Sequence, residues 1–206
     1  NLPQPQAQHT FDRYYNDLAA RLKSGAQFVF TPYEARTILA FLFMGQKDRA
    51  LRLTQFLLDC RRPQGWNHLA EVVHSDLRFP CYIGDMPHTW VGSEFVHAAR
   101  GLLLYEKGNQ LVIGAGIDPR WLDTERGVAI RHAPTRFGVF SYSMKKTGDT
   151  VNVHIAGDAQ PPDGFIVCSP LDAKPVDVTI DGKVVEPAAG GIRVDRLPAE
   201  IALKYR

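Results

Sequence analysis

Residues 103–113 read Leu-Leu-Tyr-Glu-Lys-Gly-Asn-Gln-Leu-Val-Ile, and the pattern of apolar side chains changes within this stretch. Before Gly108 the apolar residues recur at helical spacing, so a helix is predicted to run to Lys107 and to stop at the glycine. After Gly108 the period is close to two, and short strand-like segments continue to the C-terminus. The change predicts a helical part over 9–107 and a β-sandwich domain over 108–206.

Four helices are predicted before this change. The clearest start is Thr31-Pro32-Tyr33-Glu34, where Thr would cap the helix, Pro would take its first position and Glu its third. The short connection after this helix predicts an antiparallel helix pair. The predicted helices cover about 10–24, 31–44, 48–60 and 87–107, with 1–8 as a tail or linker and 61–86 as a loop.

The second half of the chain contains many short alternating segments. Asp181-Gly182 lies between two of them and predicts a tight hairpin turn. Short strands at regular spacing are typical of an antiparallel sandwich. The fold class predicted for the whole chain is therefore α+β, with helical hairpins first and an antiparallel β-sandwich second.

Composition excludes several classes of function. The 206 residues carry a formal charge of +2, with 45% apolar and 22% charged residues, which is ordinary for a globular protein. No basic run predicts nucleic-acid binding, and no apolar stretch is long enough to predict a membrane span. No cofactor or metal is predicted, because the three cysteines lack paired spacing. The compartment cannot be read from the sequence, and the start at Asn1 rather than Met suggests a processed product or a piece of a longer protein.

Two segments concentrate polar and aromatic side chains beyond what a core needs. They are Gly65–Val73, with sequence GWNHLAEVV, and Gly84–Phe95, with sequence GDMPHTWVGSEF. This mixture of carboxylates, histidines and indoles favours a pocket that binds a sugar and performs acid–base chemistry on it. Glu71 is the candidate catalytic base, and the candidate substrate-binding residues are Trp66, Asp85, His88 and Trp90.

Each of these residues also has an ordinary structural interpretation. Asp85 could cap the helix that follows it, and Glu71 could form a structural salt bridge. Trp66 and Trp90 could pack in the core. The histidines lack the spacing of a helical metal site, and Glu94 is expected to be a structural partner.

The order of helix pairs and sandwich resembles the C-terminal end of six-hairpin glycosidases, which have an (α/α)6 barrel. Ala70-Glu71 resembles the Ala-Glu or Pro-Glu pair of the glucoamylase-like branch, in which this Glu is the catalytic base. The segment 85–93 is similar to the Asp-Leu-Thr-Trp-Ser segment that opens the last long helix of that barrel. Segments 116–122 and 133–140 resemble the sandwich that follows the barrel in α-L-rhamnosidase-like enzymes.

The resemblance implies that the chain is the C-terminal portion of a glycoside hydrolase. The general acid would lie in an earlier barrel half outside this chain, so the chain alone is expected to be inactive. A phosphorylase of the same barrel class is a less favoured alternative, because no Arg or Ser/Thr cluster lies near Glu71 in the sequence. A non-catalytic carbohydrate-binding or structural module is the alternative from another class. The expected partners are carbohydrate and either the rest of the barrel or a second copy, bound through the apolar helix from Thr31 to Gly45.

Overall fold

The computed structural model describes residues 3–24, 28–61, 65–74, 84, 86–187 and 190–206. The described chain is α+β and divides into two compact units, Asn1–Arg100 and Gly101–Arg206. The described helices do not close into a toroid, so the barrel remains an expectation from the resemblance. No described helix is both long enough and apolar enough to cross a membrane.

The first unit contains the predicted helices and two unpredicted strands. Its elements are α1 (Gln4–Ser24), β1 (Phe28–Phe30), α2 (Thr31–Phe43), α3 (Lys47–Asp59), β2 (Val72–His74) and α4 (Thr89–Leu103), the last of which reaches into the second unit. Helix α1 begins before the predicted tail ends, so the prediction of a tail over 1–8 is wrong for residues 4–8. The reason is composition, since Gln and Ala are good helix formers and Pro5 lies in the first turn, where proline is tolerated.

Strands β1 and β2 pair antiparallel, with Phe30 opposite Val72. Strand β2 lies inside the segment that was predicted to be loop. Each strand has only three residues, too few for a period-two pattern to be recognised. Strand β2 directly follows Glu71, and strand β1 directly precedes α2. Their pairing therefore places Glu71 near the N-terminus of α2.

Helices α1 and α2 pack through aromatic side chains. The Phe41 ring of α2 is fully buried, and its centroid lies 5.9 Å from Phe11, 6.0 Å from Tyr14 and 5.9 Å from Tyr15. Phe43 on the same helix is 47% exposed. Helix α2 is therefore covered on the Phe41 face by this chain itself, and partly uncovered elsewhere.

An ion pair between a half-buried arginine and a buried carboxylate also joins these two helices. The Arg21 Nη1 donates to Glu34 Oε1 at 2.7 Å, and the Glu34 side chain is only 6% exposed. The second carboxylate oxygen, Oε2, is buried without a hydrogen-bond partner among the described residues. Burial raises the pKa of Glu34 to about 7, because desolvation disfavours the charged form.

The raised pKa of Glu34 predicts that stability falls as pH rises. Between its ordinary value of 4.5 and about 7, the folded state binds a proton that the unfolded state has lost. The free energy of unfolding should therefore decrease from about pH 5 to pH 8, by up to about 3 kcal/mol at about 1.4 kcal/mol per pH unit. Glu34→Gln should match the wild type near pH 5 and be the more stable protein near pH 8.

Urea denaturation followed by circular dichroism at several pH values measures this difference. Glu125→Gln, at an exposed position, is the control and should leave the pH profile unchanged. If the free energies of unfolding of the wild type and Glu34→Gln changed with pH in parallel, the Glu34 carboxyl would have the same pKa in the folded and unfolded states. The prediction would then be wrong.

The second unit is a sandwich of two sheets with one short helix. Its elements are β3 (Leu104–Lys107), β4 (Gln110–Ile113), α5 (Pro119–Leu122), β5 (Val128–Thr135), β6 (Gly138–Thr147), β7 (Thr150–Gly157), β8 (Phe165–Val167), β9 (Asp177–Ile180), β10 (Lys183–Val184), β11 (Ile192–Val194) and β12 (Ala199–Lys204). The sheet orders are β10-β9-β12-β7-β6-β5 and β11-β8-β4-β3. Phe140 and Phe165, one from each sheet, stack at 5.5 Å inside a single core of buried residues.

Two expectations about this unit need correction. Helix α4 ends at Leu103 and not at Lys107, because Leu104–Lys107 pairs with β4 through a two-residue turn at Gly108-Asn109. Gly108 adopts a φ of +56°, which tight hairpin turns require. The sandwich is also not wholly antiparallel, since β4 and β8 pair parallel. The predicted Asp181-Gly182 turn is present between β9 and β10, with both residues at positive φ.

Candidate functional site

The backbone around Glu71 is fixed by the first residue of α2. The Thr31 N–H donates to the Glu71 carbonyl at 3.0 Å, and the Thr31 hydroxyl donates to the Ala70 carbonyl at 2.6 Å. Thr31 is fully buried. The prediction that the Thr31 side chain caps α2 is therefore wrong. Glu34 pairs with Arg21 and does not complete a capping box with Thr31. The physical reason is that the buried Ala70 carbonyl needs a donor.

Replacing Thr31 by Val should destabilise the first unit by about 1–3 kcal/mol, because it leaves the Ala70 carbonyl buried without this donor. Thr37→Val is a matched control, since the exposed Thr37 hydroxyl donates to the Tyr33 carbonyl of its own helix. That control should change stability by no more than about 0.5 kcal/mol. Urea denaturation measures both, and equal effects would contradict a special role for Thr31.

The Glu71 side chain lies beside the N-terminus of α4. Its Oε2 atom is 3.9 Å from Nε2 of His88, an electrostatic contact that is longer than a direct hydrogen bond. His88 Nδ1 accepts the backbone N–H of Val91 at 3.3 Å, and its carbonyl accepts that of Gly92 at 3.0 Å. His88 therefore caps α4, and with Nδ1 as acceptor the ring proton is on Nε2, the atom nearest Glu71.

Asp85, which was considered as the cap of this helix and as a sugar ligand, lies outside the described residues. The cap is His88.

Gly84 also approaches Glu71 closely. It has a φ of +60°, and a Cβ atom there would lie 2.8 Å from the Glu71 Cβ and 3.2 Å from its Oε2. Any other residue would displace Glu71 or strain the backbone. Both Gly84 and His88 thus restrict the position of the Glu71 side chain, about a third of which is exposed.

A cleft of about 330 Å³ is lined by His88, and Glu71 reaches it through its contact with His88 rather than as a residue of its wall. Both sequence segments contribute to its wall, which includes Arg61, Asn67, His68, Pro87, His88 and Phe95. The Arg61 Nη1 donates to Asn67 Oδ1 at 3.0 Å, so two of the polar groups hold each other in place. The cleft combines apolar surface with amide, guanidinium and imidazole groups, as sites for small polar ligands do.

The two predicted tryptophans flank histidines of the cleft. The Trp66 ring lies 5.9 Å from His68, and the Trp90 ring lies 6.1 Å from His88. Trp66 is 58% and Trp90 37% exposed, so neither packs in the core. The structure thus brings Trp90, His88 and Glu71 into one neighbourhood, and Trp66 adjoins the cleft through His68.

Three residues around Trp90 were not predicted as part of the site. Trp90 Nε1 donates to Glu94 Oε1 at 3.1 Å, Arg36 Nη2 donates to the same oxygen at 2.5 Å, and Tyr33 meets the indole edge-to-face at 5.8 Å. The hydrogen bond from Arg36 lowers the pKa of Glu94 below its ordinary value. Glu94 is the structural partner that was expected. Arg36 lies 58 residues away, so no local pattern could have indicated the pair.

Among the described residues, no group of three or more His, Cys, Asp or Glu side chains could hold a metal ion. The described side chains in and beside the cleft supply imidazoles, an amide, a guanidinium and aromatic rings, with the Glu71 carboxylate 3.9 Å from His88.

Comparison with known proteins gives little similarity. No family model matches the chain, and no curated protein matches it. A solved structure with detectable similarity is a GH127 β-L-arabinofuranosidase from Geobacillus stearothermophilus T6, with 11% sequence identity and a TM-score of 0.33. The match covers 59% of this chain and 19% of that enzyme, so the chain spans only a small part of its length.

Proposed function

We propose that the cleft binds a saccharide and that Glu71 acts as the base in glycosidic bond hydrolysis by the complete protein. The observation that carries the proposal is the position of Glu71, 3.9 Å from the cleft residue His88 and held by Gly84. The exposed indoles of Trp66 and Trp90 flank the same cleft.

The reaction follows from these groups. Water attacks the anomeric carbon, and its proton passes to the Glu71 carboxylate as the new C–O bond forms. The glycosidic C–O bond breaks, and the leaving oxygen takes a proton from a general acid. Inverting enzymes place these two carboxyls roughly 6.5–9.5 Å apart to admit the water. The general acid would come from a part of the complete protein other than the described cleft residues.

The cleft itself suits sugar binding. Indole faces pack against the apolar C–H face of a sugar ring, and Asn67 and His68 can bond to its hydroxyls. His88 would act as a positioning residue, because its Nε2–H lies next to the carboxylate and its Nδ1 is fixed to the backbone of α4.

A non-catalytic carbohydrate-binding module is the second candidate. It is favoured by the described residues that line the cleft, which include no Asp or Glu, since Glu71 lies beside His88 and not in the wall itself. In that case Glu71 would accept hydroxyl hydrogen bonds and take no proton from water.

A panel of aryl glycosides, assayed with the complete protein and with this chain alone, tests the proposal. We expect the complete protein to hydrolyse at least one glycoside and the isolated chain to hydrolyse none. Lack of turnover by the complete protein across the panel would overturn the hydrolase proposal. Turnover by the isolated chain would overturn the assignment of the general acid to another part of the protein.

A further inference from the structure

A line of exposed aromatic side chains leads away from the cleft along the first unit. It starts at His88 and continues through Trp90, Tyr33 and Phe30. The ring centroids are 6.1 Å apart from His88 to Trp90, 5.8 Å from Trp90 to Tyr33 and 6.4 Å from Tyr33 to Phe30. Phe30, Tyr33 and Trp90 are called the aromatic row below.

The aromatic row is not part of the core. Phe30 is 51% and Tyr33 55% exposed, although helix α2 buries Phe41 on another face. Large aromatic side chains are mostly buried when they serve packing alone. A continuous exposed apolar surface of this kind marks a binding site more often than a structural element.

The charged groups beside the aromatic row are Arg36 and Glu94, which form an ion pair with no net charge. Arg36 and Trp90 both donate to Oε1 of Glu94, at 2.5 and 3.1 Å. The Glu94 side chain is only 16% exposed, whereas the Arg36 side chain is 55% exposed and can donate N–H groups to a ligand. The Arg36 guanidinium also lies 5.8 Å from the Trp90 ring centre, which holds the indole in place.

These features select the chemistry of the ligand. The positive charge of Arg36 is paired with Glu94, so the surface favours a neutral molecule over an acidic or basic one. Exposed rings beside a carboxylate oxygen and guanidinium N–H groups suit a molecule with both apolar faces and hydroxyls. A chain of sugar rings has both along its whole length.

From this continuity we infer that the aromatic row is an extension of the cleft, and that the ligand is a neutral oligosaccharide rather than a monosaccharide. One sugar occupies the cleft beside His88, and the following sugars lie against Trp90 and Tyr33. This inference rests on the proposed saccharide binding at the cleft. It goes further by assigning the length of the ligand and the role of Tyr33.

Calorimetric titration with neutral saccharides of increasing length tests the inference. The probes are the xylose, glucose and arabinose series, each from the monosaccharide to the tetrasaccharide. In the series that binds, affinity should rise at least about tenfold with length, because added sugars bury apolar surface on the row. Tyr33→Ala should remove this gain and leave monosaccharide affinity unchanged.

Phe43→Ala is the matched control, because Phe43 is another half-exposed aromatic residue of α2 outside the row. It should affect neither affinity. Equal affinity for short and long saccharides would overturn the inference and leave the cleft proposal standing. Lack of binding at every length would overturn the cleft proposal itself. If Tyr33→Ala changed the oligomeric mass in light scattering and not saccharide affinity, the row would belong to a protein interface, and the inference would be wrong.

Discussion

Glu71→Gln in the complete protein is expected to lower kcat for glycoside hydrolysis by about 10²–10⁴-fold, the usual contribution of a general base. Gln has nearly the shape of Glu but cannot take the proton of the attacking water. Because substrate binding depends on the surrounding cleft, KM should change much less than kcat. Steady-state assays on the glycoside that the wild type turns over measure both constants.

The control for this variant is Glu125→Gln, which removes an exposed carboxylate from the second unit. It should keep wild-type kcat and KM. Circular dichroism should show that Glu71→Gln is folded, since Gln keeps the shape of a side chain that is about a third exposed. If Glu71→Gln retained wild-type kcat, another group would be the base.

Phe41→Ala is expected to destabilise the first unit by about 3–5 kcal/mol, the usual cost of removing a large buried aromatic side chain. Phe41 is fully buried, and its ring meets three aromatic rings of α1 at about 6 Å. Its loss leaves a cavity between α1 and α2 that neither helix can fill without moving. Urea denaturation followed by far-UV circular dichroism, which reports on the helices, measures the change.

Phe43→Ala is the matched control for packing on the same helix. Phe43 is half exposed, so its truncation should cost less than about 1 kcal/mol. If Phe41→Ala also cost less than about 1 kcal/mol, α1 would not be packed on α2 in solution. A larger effect of Phe43→Ala than of Phe41→Ala would indicate that the exposed ring is covered by a partner.

The sequence predicts the helices and most strands because their patterns are local. The hairpin at Asp181-Gly182 follows from turn chemistry alone. The apolar run before Gly108 fits both a helix and a strand, and only pairing with β4 decides that Leu104–Lys107 is a strand. The parallel pairing of β4 with β8 joins segments about 50 residues apart, a distance over which local patterns carry no information.

The density of polar and aromatic residues selected Glu71, His88 and the tryptophans as candidates, and their functional roles stay predictions. The structure gives their positions, with His88 in the cleft wall and Glu71, Trp66 and Trp90 in contact with cleft histidines or next to them. The capping role of His88 depends on where α4 begins, and that boundary was predicted two residues early. The sequence predicted Glu34 as part of a capping box, because the sequence around it matches that motif. Its actual partner, Arg21, lies on another helix, and no local sequence pattern indicates such a pair.

The most direct test of saccharide binding at the cleft uses the indole N–H signals of the three tryptophans in NMR spectra. Trp66 and Trp90 adjoin the cleft histidines, whereas Trp121 lies in the other unit and serves as an internal reference. Titration with the same saccharide series should shift the Trp90 and Trp66 signals and leave Trp121 in place. Trp90 and Trp66 signals that stay fixed at every saccharide concentration would contradict the account.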